Sequence, residues 1–123
     1  MILSRYFTDI NSTYDFIDGI ISDIKWDIRC ADLLLTIYYY NNYPAGCKDQ
    51  DLTIRFKNCS ALQMDLRGTV VAMKADQIDN VWQNVESIHV ENTADSIHVI
   101  IETNFSKKYL ELSCEEIWIE KDQ

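Results

Sequence analysis

Three glycines and a single proline are all the chain has to interrupt its backbone. So few breakers exclude a flexible linker or a low-complexity segment. They also exclude a glycine-rich loop of the kind that cradles nucleotide phosphates. Basic residues are scarce: 11 Lys and Arg stand against 20 Asp and Glu, a net charge of −9. That balance argues for no nucleic-acid partner and no membrane surface, and it favours a basic partner or simply serves solubility. No apolar run approaches the ~20 residues of a membrane-spanning helix. The opening stretch meets Asp9 and Asp15 early and lacks the apolar run of an export signal, so the expected compartment is the cytoplasm. The four cysteines, Cys30, Cys47, Cys59 and Cys114, contain no Cys-x-x-Cys pair and are expected to stay reduced. Cys30, Cys59 and Cys114 lie at or beside strand-like runs, where a thiol packs as a small apolar group.

What the chain does have is hydrophobic content, 47% over 123 residues, enough for one domain with a core spanning 1–123. Its first segment, roughly Leu3 to Gly19, reads as a helix. Asn11, Ser12 and Thr13 can each cap a helix start, and Gly19 is a natural stop. After Gly19 the period becomes two. Ile24, Trp26, Ile28 and Cys30 alternate with Asp23, Lys25, Asp27 and Arg29, the pattern of a half-buried strand. Across a turn at Ala31-Asp32, Leu33, Leu35, Ile37 and Tyr39 share one face of the next strand, and Leu34, Thr36, Tyr38 and Tyr40 the other. Pro44 and Gly46 mark a loop. Beyond it, Leu52, Ile54 and Phe56 alternate with polar residues, then Leu62, Met64 and Leu66 do the same. A short helical turn carrying Ile78, Val81 and Trp82 is expected next. Two strands with "SIHV" in each follow, joined by Thr93-Ala94-Asp95, and a last pair, "KYLELSC" and "EIWIEKD", closes the chain. The expected fold class is mainly β, with α+β possible. Its architecture is an antiparallel β-sandwich or partly open barrel of about eight short strands with a short N-terminal helix.

Reactive chemistry is thinly signalled. His89 and His98 occupy equivalent places in neighbouring strands, and with Glu91 or Glu102 they could supply a metal site. Strand alternation already explains them, as polar residues opposite Ile88, Val90, Ile97 and Val99, and that reading is preferred. No cysteine has a histidine nearby in sequence, no Gly-x-Ser-x-Gly elbow occurs, and adjacent acids such as Glu115-Glu116 are unremarkable in so acidic a chain. Neither a catalytic residue nor a cofactor is assigned. Binding is better supported. Tyr38, Tyr40 and Tyr43 flank the long loop, with Asp49 and Asp51 just beyond. Aromatic rings give rigid contact area at low entropic cost, and acidic neighbours steer a basic partner. Trp118, out of phase with Ile117 and Ile119, and the acids Glu115 and Glu116 complete the set of candidate contacts.

The runs "FIDGIISDIKW", "DLLLTIYYY", "LTIRFKNCSALQMDL" and "YLELSCEEIWIE" resemble the immunity protein 50 family and related small bacterial immunity proteins. Phe16, Asp18 and Ile21 match that family's opening aromatic-His-Asp-x-x-[ILV] element, Phe56 its middle strand, and Leu112 and Cys114 its closing element. Ile17 stands where the pattern has its histidine. The resemblance implies a non-enzymatic protein that neutralises a co-encoded toxin, often one delivered by contact between neighbouring bacteria. The alternatives from the residues are a small metal-dependent enzyme built on His89 and His98, or a structural subunit of a larger complex.

Overall fold

The computed structural model describes residues 2–4, 16–40, 49–65 and 83–121. The candidate caps Asn11–Thr13, the loop with Tyr43 and Cys47, and the expected helical turn with Ile78, Val81 and Trp82 lie outside them. Every regular element among the described residues is a strand: β1 (Ile2–Ser4), β2 (Ile20–Asp27), β3 (Asp32–Tyr39), β4 (Gln50–Lys57), β5 (Ala61–Met64), β6 (Val85–Asn92), β7 (Ile97–Thr103), β8 (Leu110–Cys114) and β9 (Glu116–Lys121). They form two antiparallel sheets, ordered β1-β9-β4-β3-β2 and β5-β8-β7-β6. The protein is mainly β, as its alternating runs predict. Most of the expected helix over Leu3 to Gly19 lies outside the described residues; at its margins Leu3 pairs with Trp118 in a ladder, and Phe16–Gly19 is a turn closed by the Gly19 N–H donating to the Phe16 carbonyl at 2.9 Å.

Alternation places the core. Leu33, Leu35, Ile37 and Tyr39 of β3, Leu52, Ile54 and Phe56 of β4, and Ile117 and Ile119 of β9 are buried on one sheet's inner face. Ile97, Val99 and Ile101 of β7 and Leu110, Leu112 and Cys114 of β8 meet them from the other. Burying each large aliphatic or aromatic side chain contributes about 1.5–3 kcal/mol. Phe16 closes one end, its ring edge-on to Tyr39 at 5.6 Å. Burial raises the Cys114 thiol to about 12 and the Cys59 thiol to about 11, so both are inert at neutral pH.

Backbone runs cross from one sheet to the other. β4 pairs β9 as far as Lys57–Glu116. The ladder then turns a corner: Glu115 N–H donates to the Lys57 carbonyl and Ser60 N–H to the Ser113 carbonyl, both at 2.9 Å. It resumes as β5 on β8, from Ala61–Ser113 to Met64–Leu110. The expected last pair, β8 and β9, is therefore not a hairpin. It is one bent run that switches sheets at Glu115, the usual way of making a corner in packed sheets. A second junction joins the opposite edges: Val85 N–H donates to the Gly19 carbonyl and Ile21 N–H to the Gln83 carbonyl, both at 2.9 Å. Gly19 suits this crossing because a Cβ there would meet Ile37 Cγ2 at 2.6 Å.

With glycine so scarce, other residues take the left-handed backbone positions. Asp18 has φ 68°, Ala31 φ 55° and Asn58 φ 52°. Asn58 sits at the corner, where its N–H donates to Asp32 Oδ1 at 2.9 Å. Asp32 is 3% exposed, and its other oxygen accepts from Arg55 Nη1 at 3.1 Å. Arg55 Nε donates to Glu120 Oε1 at 2.8 Å. These contacts hold the guanidinium charged, Glu120 first and then Asp32, against the opposing effect of burial.

Two strands depart from expectation because they are edges. Ile21 and Ile24 of β2 pack on the core, but Trp26 is 45% exposed, Ile28 81%, and Cys30 is exposed too. A bulge between Ile21 and Asp23 shifts the phase, and the residues from Ile28 to Ala31 form the hairpin turn instead of strand. On β5 the expected inward Leu62 is 39% exposed and Met64 half-buried. Leu66 lies outside the described residues. Alternation sets the face a side chain points to, whereas burial also needs a neighbour above that face.

Asp32→Ala removes the acceptor of both the corner N–H and the Arg55 fork, and is expected to lower stability by about 2–3 kcal/mol, read from urea unfolding midpoints. Ala31→Gly relieves a left-handed alanine and is expected to raise stability by up to about 1 kcal/mol in the same assay.

Candidate functional site

Register builds the site on the outer face of the first sheet. Tyr38 pairs with Ile20 on one side and Asp51 on the other, so all three point outward together. Tyr40 follows two residues on, and the phenol rings stack at 5.7 Å with 26° between planes. Both remain more than a third exposed, at 38% and 39%. Tyr40 Oη donates to the Asp18 carbonyl at 2.9 Å, which ties the end of β3 to the turn before β2. Tyr38 Oη reaches Asp49 Oδ2 at 3.5 Å, a long contact that leaves the hydroxyl available. The result is a stacked aromatic pair with Asp18, Asp49 and Asp51 beside it, all three exposed. Asp18 was no part of the expected set. Only the Tyr40 contact brings it there, and no local pattern signals that. Tyr43 lies outside the described residues.

Trp118, Glu116 and Glu115 form a separate group. Trp118 pairs with Arg55, four residues along β4 from Asp51, so it stands about 13 Å away on the same outer face. Its indole N–H donates to Glu116 Oε2 at 2.8 Å, and Lys57 Nζ lies over its ring at 4.7 Å. Trp118 is thus half-buried and held by its neighbours. Glu115 is exposed at the sheet-switching corner.

The histidines part company. His89 is exposed and pairs with Ile100, whereas His98 pairs with Glu91 on one side and Ser113 on the other. His98 Nε2 donates to Glu111 Oε2 at 3.0 Å, and Nδ1 lies 3.4 Å from Ser113 Oγ. Its ring is engaged toward β8 rather than toward His89. Among the described residues no three His, Cys, Asp or Glu side chains cluster as a metal site. The Ser113–His98–Glu111 order matches a nucleophile, a base and an orienting acid. However, Ser113 lies in a strand paired on both sides, with His98 and with Ala61, so its neighbouring backbone N–H groups among the described residues are committed to the ladder rather than to an oxyanion. A groove of about 200 Å³ beside it, lined by Gln63, Met64, Asp65, Lys108 and Glu111, is smaller than the ~300–1,000 Å³ of a ligand pocket.

Among the described residues no helix is long and apolar enough to cross a membrane. Comparison with protein-family models, with curated proteins and with solved structures finds no match to this chain.

The phenol contacts are peripheral to stability. Tyr40→Phe is expected to cost about 1 kcal/mol or less, and Tyr38→Phe less than about 0.5 kcal/mol, measured by urea unfolding.

Proposed function

We propose that this is a non-enzymatic immunity protein of the immunity protein 50 type, acting in the cytoplasm on a cognate protein toxin. The observation that carries the reading is the stacked, exposed Tyr38–Tyr40 pair beside Asp18, Asp49 and Asp51, on a chain with a net charge of −9. Toxins of this kind include nucleases, whose substrate sites attract phosphate and are therefore basic. An acidic, aromatic face covers such a site: the rings supply desolvated contact area, and the carboxylates speed encounter. A standard interface covers about 800 Å² per partner, roughly 30 Å across, which spans both the tyrosine pair and the Trp118–Glu116 group.

The direct experiment mixes the purified chain with the toxin encoded beside it. Tyr38→Ala and Tyr40→Ala are each expected to weaken the complex about 10-fold or more, mainly through faster dissociation. Asp49→Lys with Asp51→Lys is expected to slow association and flatten its dependence on salt. Absence of any complex at micromolar concentration would overturn the reading.

A further inference from the structure

The outer edge of β2 carries a pattern that the proposed toxin-binding face does not use. Among the described residues its only cross-sheet pairing is at its start, where Ile20 bridges Asn84, and no strand pairs along Asp23–Asp27. This edge is also where the two most exposed large apolar side chains of the hairpin sit, Trp26 and Ile28. Along it the charges alternate in sign, Asp23, Lys25, Asp27, Arg29. Within the chain Lys25 lies 3.7 Å from Asp23 and Arg29 3.5 Å from Asp27, whose Oδ1 also accepts the Arg29 backbone N–H at 3.1 Å. Such exposed pairs are worth little and exchange readily.

The geometry points to a second copy of this chain as the occupant of that edge, paired antiparallel, β2 on β2, about a two-fold axis at Trp26. Charged edge strands usually repel stray strands. Here the charges complement a copy of themselves. With the axis at Trp26, Lys25 faces Asp27 of the second copy, Asp23 faces its Arg29, Ile24 faces its Ile28, and the two Trp26 rings meet. Every contact off the axis occurs twice, as a two-fold interface requires. The ladder itself occupies Lys25–Asp27, and past its ends Ile24 and Asp23 face the turn residues Ile28 and Arg29. Other axes do worse. An axis at Lys25 sets Lys25 against its own copy and Asp23 against Asp27. An axis at Ile24 matches Asp23 with Lys25 but sets Asp27 opposite Ile21 and Ile28 opposite Ile20, whose edge Asn84 already bridges. Strand addition at a free edge is a common mode of association, in which backbone bonds supply affinity and alternate side chains supply register.

The test is sedimentation equilibrium of the full chain from about 10 μM to about 1 mM, with near-UV circular dichroism as the check on folding. The native chain is expected to rise toward twice its 14.4 kDa mass across that range. Lys25→Glu alone, or Asp27→Lys alone, sets like charges opposite each other and is expected to weaken the dimer 10-fold or more. The double variant K25E/D27K restores opposite charges across a Trp26 axis and is expected to dimerise as the native chain does. Rescue by D23K/K25E instead would move the axis to Ile24 and overturn the register. A native chain that stays monomeric throughout, or folded single variants that dimerise undiminished, would overturn the proposal. None of these readouts involves the toxin, so they fail or succeed independently of the proposed function.

Discussion

The fold depends on a buried carboxylate at a corner. Asp32 begins β3 in the first sheet, yet it accepts the N–H of Asn58, the residue at which β4 turns toward the second. The same carboxylate takes one arm of the Arg55 guanidinium, whose other arm holds Glu120 on β9. Three strands are thereby registered where two of them change sheets. A buried acid without partners would be costly. Here each oxygen has a donor, and no buried side-chain polar atom among the described residues lacks a hydrogen bond.

The interior strands were legible because they have neighbours on both sides. β3, β4 and β7 alternate cleanly in sequence and in burial, since each is flanked by two strands and faced by the opposite sheet. β2 alternates just as cleanly on paper, but it is an edge, so Trp26 and Ile28 point where little covers them. The corner was illegible for a related reason. Glu115 is not a turn-forming residue, and nothing between Cys114 and Glu116 says that one half of the run belongs to one sheet and the other half to the other. Sheet membership is decided by partners far away in sequence.

The candidate site divides along the same line. That Tyr38 and Tyr40 share a face follows from parity alone, and Asp51 joins them because β3 and β4 are successive strands. Asp18 enters only through a contact spanning 22 positions. Trp118 was visible as an out-of-phase aromatic, but its engagement by Glu116 and Lys57 depends on the β4–β9 register, which composition does not specify. The histidines show the limit of analogy between similar tetrapeptides: identical "SIHV" surroundings lead to an open imidazole in one strand and an occupied one in the next.

The shared corner also has a mechanical consequence. Two backbone runs pass through both layers, so neither layer can slide over the other without breaking the ladder at Lys57–Glu115 and Ser60–Ser113. The tyrosine face therefore sits on a stiff plate, and in the complex proposed above the toxin would find little framework left to order. Association there is expected to be of the lock-and-key sort, limited by diffusion and orientation rather than by a slow rearrangement of the host.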